Sequence, residues 1–283
     1  MTNNPRPLIP VDPKGLDKIV DALLKGENVP DKDRETPPTG STEIADPASY
    51  LILEAPKRKG YTYPDLLVGT NRLSYNAVSR QVAPTLSFAI QDTGTGLNGQ
   101  TYIRNINWEQ ALTLNQRLGN ITLNPRQHGD LRALLEDGAN GKRKVYYGNG
   151  QIISRPALVV MRDEILKITD PWRSEWLDAR FVNKGKVLNI EYGHRLQANN
   201  KLVPTYSEPL EAFANQGWVD SASLNKQGFP QKASKKQELH FWTPSNGTVA
   251  RFDAGSGGSD LGCDRDPSVV NSHLGVRPVR AKN

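Results

Sequence analysis

The chain has 283 residues, of which 36% are hydrophobic and 23% charged, and its formal net charge is +6. This length allows one large domain or two ordinary ones with a sizeable buried core. No apolar run approaches the ~18 residues that a bilayer requires, which excludes a transmembrane helix. The single cysteine, Cys263, excludes an intrachain disulfide and fits folding in a reducing cytoplasm.

The first 47 residues differ in composition from the rest, because they hold 8 of the 20 prolines. Within them, Asp12 and Pro13 provide a helix start and Gly26 a stop, around apolar residues at helical spacing: Leu16, Ile19, Val20, Leu23 and Leu24. We predict a short amphipathic helix over about 13–25, followed by a linker-like run over 28–47. We favour docking of its apolar face on the chain's own domain; attachment to a larger partner is the alternative. The start of the chain lacks the features of a secretory signal, so we expect cytoplasmic synthesis.

A domain is predicted over 48–283. Its first strands are expected at 50–53 and within 83–90, where apolar residues dominate. The glycines of 94–99 match the spacing of a dinucleotide-binding loop, but that mechanism requires a helix to follow. A strand pattern follows instead, at 100–103, so we interpret 94–99 as a glycine-rich turn.

Two helices are predicted from capping signals. Asn107 is followed three residues later by Gln110, the spacing of a capping box, and Gly119 marks the end of the apolar pattern. The second helix begins at Asn124, which is followed by a proline, and ends at Gly138.

The pattern after these helices is typical of strands. The run 145–153 surrounds a Gly-Asn-Gly turn, and 181–192 forms a hairpin around 183–186. Further short strands are predicted at 217–220 and 239–242. Helices followed by short strands with long irregular connections predict an α+β domain rather than a βαβ repeat.

We interpret two tryptophans and one histidine of this part of the chain as structural residues. Trp172 and Trp176 are interpreted as core or as hairpin cover rather than as a ligand site. His240 lies between two apolar residues and is interpreted as a structural histidine with satisfied hydrogen bonds.

Sequence motifs for common chemistries are missing. The four histidines are far apart and form no zinc pattern, and neither a nucleophile elbow nor a phosphate-binding glycine loop occurs. Lysines at 226, 232, 235 and 236 lack interleaved aromatics and are interpreted as a solvated loop rather than a nucleic-acid surface. The sequence therefore predicts no cofactor, no metal site and no nucleic-acid partner.

The C-terminal run 243–280 holds two ordered segments around a polar stretch, 253–273. Because loops on a rigid scaffold commonly carry binding residues, we expect this stretch to be a loop that binds a ligand. Its four aspartates, Asp253, Asp260, Asp264 and Asp266, provide oxygen ligands that calcium accepts, but they lack the register of a calcium loop. We interpret them as part of a polar exposed surface, and leave calcium binding open.

This C-terminal region resembles the variable proteins of diversity-generating retroelements, in particular their archaeal and viral branch. The resemblance lies in Val-Ala-Arg-Phe at 249–252, in Ser256-Gly257, Leu261, Cys263 and Pro267-Ser268, and in Leu-Gly-Val-Arg at 274–277. The segments 118–127 and 170–178 are similar to the same branch, so the resemblance spans about 50–280. It implies a C-type lectin-like fold and a variable region over about 249–280.

In that family, an error-prone reverse transcriptase replaces template adenines, so codons for asparagine are diversified. The codons that result never encode Lys, Glu, Gln, Met or Trp. These five types make up 48 of the 283 residues here, yet 253–273 contains none of them. The composition of this stretch is therefore the one that the resemblance implies.

The resemblance also divides the region into two interleaved sets. The framework set comprises Arg251, Phe252, Ala254, Ser256, Gly257, Leu261, Cys263, Pro267, Ser268 and 274–277. The variable set, implied to contact the ligand, comprises Asp253, Gly255, Gly258, Ser259, Asp260, Gly262, Asp264, Arg265, Asp266, Val269, Val270, Asn271, Ser272 and His273. We expect the framework set to hold the shape of the loop and the variable set to project without contributing to stability.

Two departures limit what the resemblance implies. Calcium-dependent sugar lectins use a triplet such as Glu-Pro-Asn, and the nearest match, at 208–210, ends in leucine. The sulfatase-modifying, formylglycine-generating enzymes of the same fold use a cysteine pair, and this chain has only Cys263, which we interpret as a small buried hydrophobic residue.

We therefore expect a non-enzymatic protein that recognises a protein or a cell-surface ligand. Weak single sites would be strengthened by display in several copies, on a virion or on a cell. The alternative is an enzyme on the same scaffold, with Asp264, Asp266 or His273 as acid–base groups.

Overall fold

The computed structural model describes residues 46–56, 61–96, 99–167, 172–255 and 258–282, all within the unit Glu43–Asn283. The predicted helix over about 13–25 and the linker-like run as far as residue 45 lie outside the described residues. The described helices are α1 Ala77–Val82, α2 Trp108–Arg117, α3 Pro125–Ala139 and α4 Arg155–Leu166, with 3-10 turns at Pro47–Ser49 and Ala83–Leu86.

Fifteen strands occur in the described residues. They are β1 Tyr50–Leu53, β2 Leu66–Gly69, β3 Asp92–Thr95, β4 Thr101–Arg104, β5 Arg173–Lys184, β6 Val187–Tyr192, β7 Arg195–Leu196, β8 Leu202–Val203, β9 Tyr206–Pro209, β10 Gly217–Val219, β11 Leu239–Trp242, β12 Val249–Gly255, β13 Gly258–Arg265, β14 Leu274–Gly275 and β15 Val279–Ala281. The prediction of a mixed α+β domain is confirmed.

The two helices predicted from capping signals are confirmed, and both begin with a capping box. The side chain of Asn107 accepts the backbone N–H of Gln110 at 2.9 Å, and the Gln110 side chain accepts the N–H of Asn107 at 3.1 Å. Asn124 and Gln127 form the same reciprocal pair at 2.9 and 3.0 Å. In both cases a short polar side chain satisfies donors that the first turn leaves free.

Two expectations about this half of the chain are wrong. The prediction of two helices omitted α4, although Ser154 caps it by accepting the N–H of Ala157 and Pro156 occupies its first turn. The strand predicted within 83–90 is instead the 3-10 turn Ala83–Leu86, followed by residues outside regular structure. Its alternating apolar residues mimicked a strand, but they pack on a neighbouring core cluster, and Pro84 is the second residue of the turn.

The main sheet has eight strands, in the order β10-β11-β13-β12-β5-β6-β9, with β14 paired to β5. Neighbours are antiparallel except for the pairs β11–β13 and β5–β14. The hairpin β12–β13 lies in the interior of the sheet, because β13 also pairs with β11 and β12 also pairs with β5. The predicted strands at 50–53, 217–220 and 239–242 and the hairpin around 183–186 are confirmed.

Two clusters of buried side chains hold the domain together. The larger cluster lies between one face of the main sheet and helices α3 and α4, and includes Phe181, Phe241 and Phe252. The smaller cluster gathers Trp108 of α2 and Trp176 of β5. The indole N–H of Trp176 donates to the carbonyl oxygen of Ile106 at 2.8 Å, so its interpretation as core is confirmed.

The cap of α3 gives a direct test of these local rules. We expect Asn124→Ala to lower the free energy of unfolding by about 1 kcal/mol, because the N–H of Gln127 loses its acceptor. Urea denaturation measures this, with Asn149→Ala as the control. Asn149 lies in an exposed turn, where its side chain accepts only the N–H of Gln151. Equal effects of the two substitutions would contradict the assignment.

None of the described helices combines the length and the apolar composition that crossing a bilayer requires.

Candidate ligand-binding face

The stretch 253–265, expected to be a loop, forms most of the hairpin β12–β13. Asp, Gly and Ser have low strand propensity, but both strands here find hydrogen-bonding neighbours on each side. Among the described residues of 253–273, those of 266–273 lie outside regular strands. The expectation of a long loop is therefore wrong for its first half.

The alternation of side chains along this hairpin separates two kinds of residue. Phe252 and Ala254 of β12 and Leu261 and Cys263 of β13 are all buried, and three of them belong to the larger core cluster. All four are in the framework set. Because successive strand residues point to opposite faces, Asp253, Asp260, Gly262 and Asp264 of the variable set lie on the other face.

The strands β10, β11, β13 and β12 carry this other face, opposite the larger core cluster. We call it the outer face. Two rows of paired residues cross it. The first row is Trp218, His240, Asp260 and Asp253, and the second is Trp242, Gly262 and Arg251. Trp176 of β5 continues the second row, and there the smaller core cluster covers the sheet.

The first row combines aromatic rings with a carboxylate. The rings of Trp218 and His240 meet edge to face with centroids 5.2 Å apart. The Nδ1 atom of His240 lies 4.0 Å from a carboxylate oxygen of Asp260, and both side chains are half-buried. Burial raises the pKa of Asp260, and the nearby charge of Asp253 raises it further.

His240 therefore differs from its interpretation as a satisfied structural histidine. Its Nδ1 atom is buried without a hydrogen-bond partner among the described residues. Leu239 and Phe241 point into the core, which leaves His240 and Trp242 on the outer face with their rings 4.8 Å apart. The alternation in Leu-His-Phe-Trp was the signal in the sequence that identifies these residues.

In the second row a cation of the chain lies on an aromatic ring. The guanidinium carbon of Arg265 is 5.5 Å from the centre of the Trp242 ring, and Nε of Arg265 is 3.2 Å from Asp264. A Cβ atom at Gly262 would lie 2.7 Å from this Nε. The missing side chain at Gly262 is therefore what lets Arg265 fold back over the strand.

Asp253 does not project freely, although it belongs to the variable set. Its carboxylate accepts from Nε of Arg251 at 2.7 Å, and the exposed fractions of the two side chains are 2% and 9%. Burial lowers the pKa of Arg251, while the charge of Asp253 opposes that change. The expectation that the whole variable set projects from the surface is thus wrong for Asp253.

Glycines and a tryptophan shape the tip of the hairpin. Gly255 pairs with Gly258, whose φ of +119° is a conformation that other residues rarely adopt. A Cβ atom at Gly255 would lie 3.2 Å from the Trp172 ring, and one at Gly258 would lie 3.1 Å from Trp218. Ser259 is half-buried and its hydroxyl is 3.5 Å from the carbonyl oxygen of Leu166.

The segment 266–273 carries the rest of the variable set and is held at both ends. At its start, Asp266 accepts the N–H and the hydroxyl of Ser268 at 2.8 and 2.7 Å, which lowers the pKa of Asp266. At its end, the carbonyl oxygen of His273 accepts the N–H of Ser174 at 3.0 Å. The segment is therefore anchored while much of it faces solvent.

Two apolar side chains of this segment are exposed. Val269 and Val270 are 39% and 54% exposed, and Asn271 and Ser272 follow them. The His273 ring stacks on Trp172 with centroids 5.7 Å apart. Trp172 is itself 42% exposed, so its interpretation as core is wrong, whereas its ring does cover the hairpin β12–β13 at Gly255.

The proposed acid–base groups of the enzyme alternative have separate environments. Asp264 lies beside Arg265, Asp266 is bound by Ser268, and His273 is stacked on Trp172. Within the described part of the chain, no three histidine, cysteine or carboxylate side chains converge as a metal site requires. The four aspartates of 253–266 thus form no such group, although the charge of Asp253 acts on Asp260.

Comparison with known proteins returned no matching family model, no matching curated protein and no matching solved structure.

Proposed function

We propose that this chain is a non-enzymatic binding protein, a variable protein of a diversity-generating retroelement with a C-type lectin-like fold. Its ligand would contact the outer face and the segment 266–273. The observation that carries the proposal is the alternation in β12–β13. Phe252, Ala254, Leu261 and Cys263 enter the core, whereas most of the hairpin's variable set lies on the opposite side.

This arrangement supports the proposal because it separates folding from recognition. Side chains on the outer face contribute little to the core, so they can differ between sibling proteins without loss of the fold. The framework and variable positions alternate along the sequence of the hairpin. Successive residues of a strand point to opposite faces, so this alternation puts most framework side chains in the core and most variable ones on the outer face.

The outer face also offers aromatic contact area that the variable set lacks. Trp172, Trp218 and Trp242 come from outside the implied variable region 249–280, and each lies beside a position of the variable set. Tryptophan is enriched among residues that dominate binding energy. Constant tryptophans would therefore supply affinity, and the neighbouring variable positions would supply specificity.

A library experiment tests this proposal and does not require the natural ligand. Six positions that project from the face would be randomised to the residues that diversified asparagine codons encode: Asp260, Asp264, Val269, Val270, Asn271 and Ser272. We expect most members to keep a melting temperature within about 3 °C of the parent, since each change should cost well under 1 kcal/mol. Phage display against hen lysozyme should then enrich binders.

The matched control library randomises Phe252, Ala254, Leu261 and Cys263, which are equally close in sequence but buried. Most of its members should fail to fold, because large-to-small or polar substitutions in a core cost several kcal/mol. The proposal is wrong if the two libraries unfold equally often, or if the first folds but yields no binder after selection.

A further inference from the structure

One carboxylate of the outer face differs from its neighbours in having neither a hydrogen-bond donor nor an arginine paired with it. Asp253 pairs with Arg251, Asp264 with Arg265, and Asp266 accepts two bonds from Ser268. Among the described residues the carboxylate of Asp260 accepts no hydrogen bond, and its ion-pair partner is His240, at 4.0 Å. Asp260 is therefore an acceptor that the folded chain leaves available.

The surroundings of Asp260 are aromatic. His240 separates Trp218 from Asp260 in the first row of the face, and it also contacts Trp242. The ring of Trp218 extends over the hairpin as far as Gly258, which has no side chain to displace it. Tryptophan faces attract organic cations, and a carboxylate beside them completes the usual recognition element for such groups.

In the second row of the same face, a cation of the chain itself occupies such a combination of tryptophan and carboxylate. There the guanidinium of Arg265 lies on Trp242 and beside Asp264. The first row repeats the tryptophan and the aspartate, as Trp218 and Asp260. The charges of Arg251 and Arg265 act on Asp260, but among the described residues neither arginine contacts its carboxylate or the Trp218 ring. Charge complementarity therefore favours a positively charged side chain from a binding partner.

We propose that Asp260, Trp218 and His240 form a subsite for an arginine or lysine side chain of a partner protein. This inference rests on the proposed function, because it specifies what the outer face binds. Trp218 and His240 lie outside the implied variable region, whereas Asp260 belongs to the variable set. Exchange of the residue at position 260 would then create or remove the cation subsite, while Trp218 and His240 stay the same.

The test uses the full chain and N-acetyl-arginine methylamide, with the uncharged N-acetyl-citrulline methylamide as the matched probe. Binding is followed by the indole N–H resonance of Trp218, assigned with Trp218→Phe. We expect a millimolar dissociation constant for the arginine probe, and about tenfold weaker binding of the citrulline probe, because a cation–π contact and an ion pair are lost together.

Asp260→Asn removes the ion pair but keeps the cation–π contact, so it should weaken binding of the arginine probe about fourfold and leave the citrulline probe unchanged. Asp266→Asn, the same change of charge at a carboxylate that Ser268 already binds, should alter binding less than about twofold. Equal effects of the two substitutions, equal binding of the two probes, or no shift of the Trp218 resonance would overturn the subsite.

The outcome separates this inference from the proposed function. If the library experiment succeeds and the arginine probe fails, the face binds partners by other contacts. If the probe binds and the library fails, the cation subsite exists on a face that is not exchangeable.

Discussion

Replacing Glu175 with glutamine should lower the free energy of unfolding by about 3–5 kcal/mol, because it leaves buried cations without their counter-charge. Both oxygens of Glu175 accept from Arg277, at 3.0 Å from Nε and in a second bond from Nη2. Nε of Arg72 lies 3.6 Å from the same carboxylate. The exposed fractions of these three side chains are 5% or less, so water cannot replace the lost interactions.

The position of this network gives the prediction a functional meaning. Glu175 lies on β5, and Arg277 follows β14 and donates to the carbonyl oxygen of Gly69 at 2.8 Å. Arg72 donates to the carbonyl oxygen of His273 at 3.3 Å. Loss of the carboxylate should therefore loosen the end of the segment 266–273 as well as the fold. Hydrogen exchange of this segment should accelerate in Glu175→Gln.

The matched control is Glu54→Gln. Glu54 pairs with Arg143, but both side chains are about half exposed. That substitution should cost less than about 1 kcal/mol in urea denaturation. Similar small losses for both glutamates would show that the buried network contributes nothing to stability.

The same network predicts how stability depends on pH. Burial alone would raise the pKa of Glu175, but the charges of Arg277 and Arg72 outweigh burial and lower it from 4.5 to about 2. A carboxyl group whose pKa is lowered by folding stabilises the protein above its unfolded value. The advantage of the wild type over Glu175→Gln should therefore be complete above pH 4.5 and vanish as the pH falls towards 2.

His128 adds a second loss of stability in acid. Burial lowers its pKa from 6.5 to about 3, so the folded state holds it neutral where the unfolded chain would be protonated. Its contribution should decline as the pH falls from 6.5 towards 3 in the wild type. The decline should extend to lower pH in Glu175→Gln, because the charge of Glu175 opposes the lowering of the His128 pKa. Unfolding curves collected at several pH values separate the two contributions.

The sequence predicted those elements that local chemistry determines. Asn107 with Gln110 three residues later, and Asn124 followed by a proline, located two helix starts correctly. The turns at 148–150 and 183–186 followed from glycine and asparagine. These signals act within a few residues, so they do not depend on the rest of the fold.

Elements set by distant neighbours could not be predicted in this way. The strand β13 is rich in Asp, Gly and Ser, and it is extended because β11 and β12 flank it and because Leu261 and Cys263 are buried. The parallel pairing of β11 with β13 joins segments separated by β12. Nothing local in either segment specifies that partner.

The candidate site shows the same limit. Alternation in β11 predicts that His240 and Trp242 share a face, but their neighbours depend on register. Only the pairing of strands places Asp260 beside His240 and Gly262 beside Trp242. A shift of the register by one residue would place Leu261 beside His240 or, in the other direction, beside Trp242. The positions of His240 and Trp242 beside Asp260 and Gly262 were therefore not predictable from the sequence.

Register also explains why Asp253 differs from the rest of the variable set. We expect Asp253→Ala to lower the free energy of unfolding by about 3 kcal/mol, because the guanidinium of Arg251 would stay buried without its carboxylate. Asp264→Ala should cost less than about 1 kcal/mol, since Asp264 and Arg265 are both partly exposed to solvent. Urea denaturation of the two variants measures the contrast.

A double-mutant cycle then tests the reason for the loss. If the buried pair is responsible, Arg251→Leu should recover most of the stability that Asp253→Ala removes, because no uncompensated charge remains. Equal losses for Asp253→Ala and Asp264→Ala, or additive effects in the cycle, would return Asp253 to the freely exchangeable positions. The expected coupling instead ties any exchange at position 253 to Arg251, a framework residue. Under the proposed function, diversification of this face would then be constrained at position 253, which the neighbouring strands bury in an ion pair.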